Sequence, residues 1–371
     1  MRVPRRFPLP LAFILLATAR GRAQTTDPSS SGQKPDPSAP GQALVLQDDK
    51  ADALKERQLF PLKDSKQLGV VDGDVSASGV VDERRARINE ALKAQDYGRA
   101  ETLLVEAAEA NPRSPAVLQL LGAVFFMRGR PLNAAVALKK AEAIAPLDER
   151  SRFTLALSYV ALGHRDWARP ELAKLVEAAP GNALYQYWTG RLDYDDQQFA
   201  KALESFRRAV GLDPGLAKAH DSLGLCYEAL GRFDEAERSW QEAIRLESGK
   251  PTRSPWPPLN LGLMLTRLDR PDAAEARFRE AIACDPRFAA AHYQLGLVLE
   301  KKGRTADAVA ELEEAARLDP TATEAPYALA RVYRRAGDDA KADRALRRFE
   351  ELKKERDEKT GRNTTRAPDT H

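Results

Sequence analysis

The sequence predicts an all-α protein, an α-solenoid of about eight helix–turn–helix repeats. Three observations predict this fold class. From residue 81 onwards the chain repeats itself every 34 residues. Small residues recur at two fixed positions of the repeat, and a large apolar residue recurs at a third. Aromatic residues make up only 7% of the chain, and Ala and Leu dominate the apolar set, which favours helices over strands. Because one helix pair cannot bury its apolar face alone, we expect the pairs to stack.

Residues 1–23 have the features of a secretory signal peptide. A basic start precedes an apolar run of 11 residues from Leu9 to Ala19, and small residues suit cleavage after Ala19 or Ala23. The run is shorter than the ~20 residues that a membrane-spanning helix needs. We therefore expect an exported protein, either periplasmic in a bacterium or secreted, with no stable membrane span after cleavage. An uncleaved anchor and a cytosolic location are the alternatives. Cleavage after Ala23 would remove five arginines and change the formal charge from +3 to −2.

The segments on either side of the repeats are predicted to be unstructured. Residues 24–80 begin with a stretch rich in Ser, Pro, Gly and Asp, which has little to bury and is typical of a disordered linker. Within this linker, residues 42–60 could form one short amphipathic helix. Residues 357–371 are predicted to be a disordered tail.

The repeats align on recurring Leu-Gly pairs, with one insertion of four residues at 251–254. The insertion lies in a Pro-dense stretch at 251–258, which is either an ordinary loop or a hinge. The repeats together span 81–356. They occupy 81–114, 115–148, 149–182, 183–216, 217–250, 255–288, 289–322 and 323–356.

Each recurring residue type has a structural cause. Position 20 of the repeat is Ala in all eight blocks, and position 8 is Gly or Ala in seven. Small residues there let two helices approach closely, while the large apolar residue at position 24 fills the space beside them. Gly at position 15, present in five blocks, suits the left-handed residue that ends a helix. Pro at position 32, present in six blocks, stops the second helix.

These motifs resemble the tetratricopeptide repeat family. Residues at the family's signature offsets include Leu223, Gly224, Tyr227, Gly231, Phe233, Ala236, Trp240 and Ala243. The resemblance covers about three quarters of the chain. It implies a right-handed α-solenoid in which the first helix of each pair lines a concave wall, and it suggests an exported bacterial protein. The alternative is another helical array.

Catalytic and metal-binding motifs are missing from the sequence. It has no HExxH, GxSxG or phosphate-binding loop, and two cysteines are too few for a four-cysteine metal site. Cys226 and Cys284 fit as packing residues, although a disulfide between them is an alternative. The carboxylates Asp193, Asp195 and Asp196 are predicted to form a charged turn. We expect no enzyme activity, no cofactor and no metal. The small net charge argues against a nucleic-acid partner.

The resemblance places a protein-binding or peptide-binding site on the concave wall. The family's ligand contacts usually come from positions 2, 5, 9, 12 and 13 of the repeat. These positions make the predicted wall aromatic in its middle and basic at its C-terminal end. The candidate binding residues are Phe126, Phe153, Leu157, Tyr187, Arg191, Tyr194, Trp256, Leu259, Tyr293, Tyr327, Arg331, Arg334 and Arg335. For the leucines, core packing is an equal alternative.

The sequence thus predicts a non-enzymatic interaction scaffold that binds a protein or peptide segment. The resemblance and the signal peptide together suggest a role in cell-envelope or secretion-linked assembly. The alternative is a regulatory or carrier subunit of an enzyme complex encoded elsewhere.

Overall fold

The computed structural model describes residues 82–359, except for the side chains of Asp82 and Lys359. The predicted signal peptide, the linker with its short helix at 42–60 and the final residues of the tail lie outside this range. In the described part of the chain all regular structure is helical, which confirms the all-α prediction. The last helix continues to Lys359, three residues into the predicted tail.

Sixteen helices lie between residues 82 and 359, two for each predicted repeat. Odd-numbered helices are the first helices of their pairs, and even-numbered helices are the second. Their bounds are α1 Asp82–Lys93, α2 Tyr97–Ala110, α3 Pro115–Met127, α4 Pro131–Glu142, α5 Glu149–Ala161, α6 Arg165–Ala178, α7 Ala183–Asp195, α8 Phe199–Leu212, α9 Ala217–Ala229, α10 Phe233–Glu247, α11 Trp256–Arg267, α12 Pro271–Cys284, α13 Ala289–Lys301, α14 Thr305–Leu318, α15 Glu324–Arg335 and α16 Asp339–Lys359.

The described residues divide into two compact units, 82–286 and 287–359. In the first unit each odd helix packs against the even helix that follows it, and each even helix up to α10 packs against the next odd helix. First helices also contact each other, as α3 does with α5 and α9 does with α7 and α11. The second unit repeats this arrangement: α13 and α15 form hairpins with α14 and α16, α14 packs against α15, and α13 contacts α15. We call the surface made by the first helices of one unit its first-helix face.

Glycine at position 8 allows a close approach of the two helices in the pairs that contain it. A Cβ atom added to Gly224 would lie 2.5 Å from the indole of Trp240, which is fully buried at position 24. Gly122 meets Leu138 in the same way, with a closest distance of 2.6 Å. The predicted pairing of a small residue at position 8 with a large one at position 24 is confirmed.

Position 15 has a left-handed backbone in all eight pairs. The five glycines there have φ between +71° and +80°. The other three residues at this position, Gln95, Gln197 and Asp269, have φ of 56°, 60° and 56°. In this region the Cβ atom of an L-residue causes steric strain, which glycine avoids because it has no Cβ atom. The turn is therefore fixed by the geometry of the hairpin, even in pairs whose sequence lacks the glycine.

The insertion at 251–254 lies inside the first unit, because the boundary between the units comes later, after Pro286. The Ser254 amide donates to Glu247 Oε2 at 2.6 Å, and Arg253 Nη2 donates to the Ala283 carbonyl at 3.4 Å. These contacts connect the insertion to α10 and α12. Within residues 82–359, no helix is both long and apolar enough to cross a membrane.

Candidate functional site

The thirteen predicted wall residues all lie on or beside first helices, but they differ in exposure. Four of them are buried in the core: Phe126, Phe153, Leu157 and Leu259. The other nine are half-buried or exposed. Four of these nine lie in the first unit and five in the second, and the binding role of the full set stays a prediction.

Three neighbouring first helices of the first unit bring together a group of polar side chains that we call the polar cluster. Its members are Tyr187, Arg191, Tyr194 and Asp195 of α7, Lys218 and Asp221 of α9, and Asn260 of α11. On α7 the spacing of four, seven and eight residues from Tyr187 puts the side chains on one helical face. The cluster therefore combines three predicted wall residues with four that the sequence analysis did not select.

Arg191 is the central cation of the polar cluster. Its Nη2 lies 3.6 Å from Asp195 Oδ1, and its Cζ lies 5.8 Å from the ring centre of Tyr194. Only 18% of its side chain is exposed. Burial raises the pKa of Asp195 above its ordinary value, although Arg191 and Arg165 act in the opposite direction. Arg191 therefore compensates this carboxylate only in part.

Tyr187 forms the aromatic side of the polar cluster. Its ring centre lies 5.7 Å from that of Phe206 and 5.6 Å from that of Trp188. The ammonium group of Lys218 lies 5.1 Å from the Tyr187 ring centre, within the range of a cation–π contact. Burial raises the pKa of the Tyr187 hydroxyl, which keeps the hydroxyl protonated.

Asp221 connects two first helices through its carboxylate. Asn260 Nδ2 donates to Asp221 Oδ1 at 3.1 Å, which joins α11 to α9. Burial raises the pKa of Asp221 to about 6, although Asn260, Arg191 and the nearby Trp240 indole lower it, and the charge of Glu247 raises it further. The carboxylate is thus placed where its charge is costly, beside a neutral amide as its hydrogen-bond donor.

The predicted basic end of the wall is largely compensated by acidic side chains. In the second unit, Arg331 donates to both oxygens of Glu300 at 2.9 and 2.5 Å, and Arg335 lies 3.4 Å from the same carboxylate. Arg334 lies 3.6 Å from Asp343. Glu300 is 7% exposed, so these pairs are part of the packing of this unit. The expectation of a basic C-terminal end stays a prediction: its three arginines are 48–64% exposed, and each lies beside a carboxylate.

A sequence signal for these pairs exists. Glu300 is at position 12 of its repeat, and Arg335 is at position 13 of the next one. Glu228 and Arg267 occupy the same two positions in the fifth and sixth repeats and also form an ion pair. Glutamate at position 12 followed by arginine at position 13 of the next repeat therefore predicts a bridge between adjacent first helices.

The other predicted aromatic residues occupy two kinds of environment. Tyr293 is half-buried, and burial raises its pKa with help from the charges of Glu324 and Glu300. Tyr327 is 53% exposed, with its ring centre 5.2 Å from that of Phe349. Trp256 is exposed at the start of α11.

The remaining candidate residues have structural partners or remain apart. Asp193 and Asp195 lie in the last turn of α7, so the predicted charged turn is helical up to Asp195. Asp193 and Asp196 both accept hydrogen bonds from Arg169, each at 2.7 Å. Cys226 and Cys284 are free thiols. Between residues 82 and 359, no three His, Cys, Asp or Glu side chains are grouped so that they could hold a metal ion.

Comparisons with known proteins agree with the repeat pattern. One family model described as tetratricopeptide repeat matches residues 85–149, 153–217 and 259–323, and a second one matches 217–249. A solved tetratricopeptide repeat protein from Parabacteroides merdae is 17% identical, with a TM-score of 0.55, over 68% of this chain and 98% of its own. The solved APC/C hetero-tetramer Cut9-Hcn1 is 16% identical, with a TM-score of 0.55. The match covers 76% of this chain and 58% of the other chain. The solved structure of MamA from AMB-1 is 31% identical, with a TM-score of 0.41. The match covers 46% of this chain and 99% of the MamA chain. No curated protein matches the chain in sequence. The first two likenesses show a shared fold.

Proposed function

Because the chain belongs to the tetratricopeptide repeat family, we propose that it is a non-enzymatic scaffold that binds a protein or peptide segment on the first-helix faces of its units. The observation that carries this proposal is the partly exposed set of aromatic and arginine side chains on the first helices. Tyr187, Arg191 and Tyr194 lie together on α7, and Tyr327 with Arg331 lies on α15. Tyr and Arg are the residue types that dominate binding energy in protein interfaces.

The exposed aromatic rings are suited to contact with a partner. A tyrosine offers a large apolar surface and a hydroxyl at low conformational cost, so it can bind both apolar and polar parts of a segment. Arg331 is 48% exposed and keeps part of its guanidinium in solvent while it is paired with Glu300. It can therefore contact a partner without losing its intramolecular ion pair.

We further propose that the scaffold is exported and acts in cell-envelope or secretion-linked assembly. The basic, apolar and small-residue segments of residues 1–23 support export. The mass of the protein purified from its own cells tests this part. A mature chain that begins at Arg20 or Gln24 is expected, and an uncleaved chain in the cytosol would contradict export.

Binding is tested by affinity purification of the tagged protein after crosslinking in its own cells, with quantification of each co-purified protein. We expect the recovery of a specific partner to fall at least tenfold when Tyr187, Tyr293 and Tyr327 are all replaced by Ala. The matched control is Trp167→Ala, because Trp167 is 49% exposed but lies on the second helix α6. Circular dichroism verifies that both variants stay helical. Recovery that is equal for the triple variant and the wild type would refute binding on this face, and recovery of an enzyme would favour a regulatory-subunit role.

A further inference from the structure

We propose that three arginines of α15, Arg331, Arg334 and Arg335, form a binding site for the carboxylates of an acidic peptide segment. We call these three residues the arginine cluster. The inference rests on the proposed function and adds the chemistry of the bound segment. The cluster belongs to the first-helix face of the second unit.

The arginine cluster shares one face of α15 with an exposed tyrosine. Counted from Tyr327, the three arginines lie four, seven and eight residues further along the helix. This spacing places side chains on the same helical face. Nη2 of Arg331 and Nη1 of Arg335 lie 2.5 and 3.4 Å from the two carboxylate oxygens of Glu300. Two guanidinium groups are therefore held close together by one shared carboxylate.

The shared carboxylate lies beneath the arginines. The side chain of Glu300 is 7% exposed, whereas those of Arg331 and Arg335 are 48% and 61% exposed. Arg334 is 64% exposed, and its partner Asp343, at 3.6 Å, belongs to the second helix α16. A molecule that approaches this first-helix face therefore meets guanidinium groups before it meets the carboxylate that holds two of them.

The arginine cluster has more positive charge than its partners neutralise. Three guanidinium groups contact two carboxylates, which leaves a net charge of one. Glu324, the other acidic residue of α15, lies in the first turn of the helix, ~10 Å along its axis from Arg331. An acidic segment would be attracted to the arginine end of this helix, and a basic segment would be repelled.

The arginine cluster also has hydrogen-bond donors to offer. A guanidinium group has five N–H donors in a planar fork that matches a carboxylate. Arg331 donates to Glu300 from Nε and Nη2. Within residues 82–359, Arg334 and Arg335 form ion pairs but donate no hydrogen bond. Hydrogen bonds between ionised groups are roughly twice as strong as neutral ones, so Asp and Glu side chains fit these donors better than amides do.

Tyr327 adds an apolar surface beside the charges. It lies one helical turn before Arg331 and is 53% exposed. Its ring centre lies 5.2 Å from that of Phe349, so the ring packs against α16 on one side. A tyrosine ring can cover an apolar side chain of a partner at low conformational cost. The expected ligand is therefore a segment in which Asp or Glu has an apolar neighbour.

The test is a selection of random twelve-residue peptides, displayed on phage, against the purified full-length protein at pH 7.5. We expect the wild type to enrich peptides that contain Asp or Glu together with an apolar residue. A double variant with Arg334→Gln and Arg335→Gln should lose the acidic preference. This variant keeps the bonds of Arg331 to Glu300, which join α15 to α13.

The matched control removes two arginines from the second helix of the same pair. Arg344 and Arg347 of α16 are exposed, and their replacement by Gln changes the net charge by the same amount. This control should enrich the same acidic peptides as the wild type. Circular dichroism verifies that both double variants stay helical.

Calorimetry with the best acidic peptide adds a second readout. Replacing its Asp and Glu residues by Asn and Gln should weaken binding to the wild type at least tenfold and binding to the Arg334 and Arg335 double variant less than twofold. Because salt screens exposed charges, a rise from about 0.05 M to about 0.5 M NaCl should weaken binding to the wild type more than binding to that variant. Tyr327→Ala should weaken binding and retain the acidic preference.

The outcomes separate this site from the proposed function. Enriched peptides without an acidic preference, or an acidic preference that the Arg334 and Arg335 double variant retains, would overturn the site and leave the proposed function standing. A selection that enriches no peptide on the wild type would contradict both.

Discussion

Replacing Asp221 by Asn should make the protein more stable at neutral pH and leave its stability unchanged in acid. Asn has nearly the same shape as Asp, and its side-chain oxygen can still accept the hydrogen bond from Asn260. The substitution removes only the charge, which the folded protein holds in a half-buried position at a cost. Stability is expected to rise because the cost of burying that charge disappears.

The magnitude follows from the pKa of Asp221. Its rise from 3.8 to about 6 corresponds to at most ~3 kcal/mol of destabilisation when the group is ionised. Because the side chain is only half-buried, solvent screening reduces this, and we expect a gain of about 1 kcal/mol. The sign follows from proton binding. Between pH 4 and pH 6 the folded state binds more protons at this site than the unfolded chain, so the cost is absent below about pH 4 and complete above about pH 6.

Thermal unfolding of the full-length protein followed by circular dichroism measures the effect. For a unit of this size, ~1 kcal/mol corresponds to a rise in Tm of about 2–4 °C. We expect this rise for Asp221→Asn at pH 8 and no rise at pH 4. Asp234→Asn should instead lower Tm slightly at pH 8, because it removes a negative charge from the first turn of α10. A lower Tm for Asp221→Asn at pH 8, or equal shifts at both pH values, would refute the reasoning.

Two further substitutions test the packing. Gln197→Gly should raise the urea midpoint of unfolding by the equivalent of about 1 kcal/mol, because it removes the steric strain of a non-glycine residue with φ of 60°. Gly231→Gln introduces the same strain and should lower the midpoint by a similar amount. A loss of stability in Gln197→Gly would contradict the strain. Glu300→Gln should destabilise the 287–359 unit by about 1–2 kcal/mol, because it leaves two arginine side chains without their shared carboxylate. Proteolysis in increasing urea measures this loss of stability. The control is Glu350→Gln, on the exposed face of α16. Equal resistance of the two variants to proteolysis would argue against a stabilising role of the ion pairs.

The sequence predicts local features of this fold better than contacts between repeats. The pairing of Gly224 with Trp240 follows from the repeat alone, since both positions recur in the same 34 residues and one hairpin brings them together. Bridges such as that of Glu300 to Arg331 join different repeats, and they depend on which of several long side chains reaches which partner. The register of the helices follows from a single repeat, whereas the ion pairs between first helices can be predicted only when residues of adjacent repeats are compared.

Exposure on the first-helix faces depends on the neighbouring repeat, as residues at position 5 show. Phe153 is buried because the ring of Tyr185, at position 3 of the next repeat, lies 5.1 Å from it. Tyr187 is half-buried, and the equivalent position in its next repeat is Ala219, which has no ring to cover it. Tyr327 is the most exposed of the three, and no further helix pair follows its own in the described chain. A small residue at position 3 of the following repeat is therefore the sequence feature that leaves a tyrosine at position 5 available to a partner.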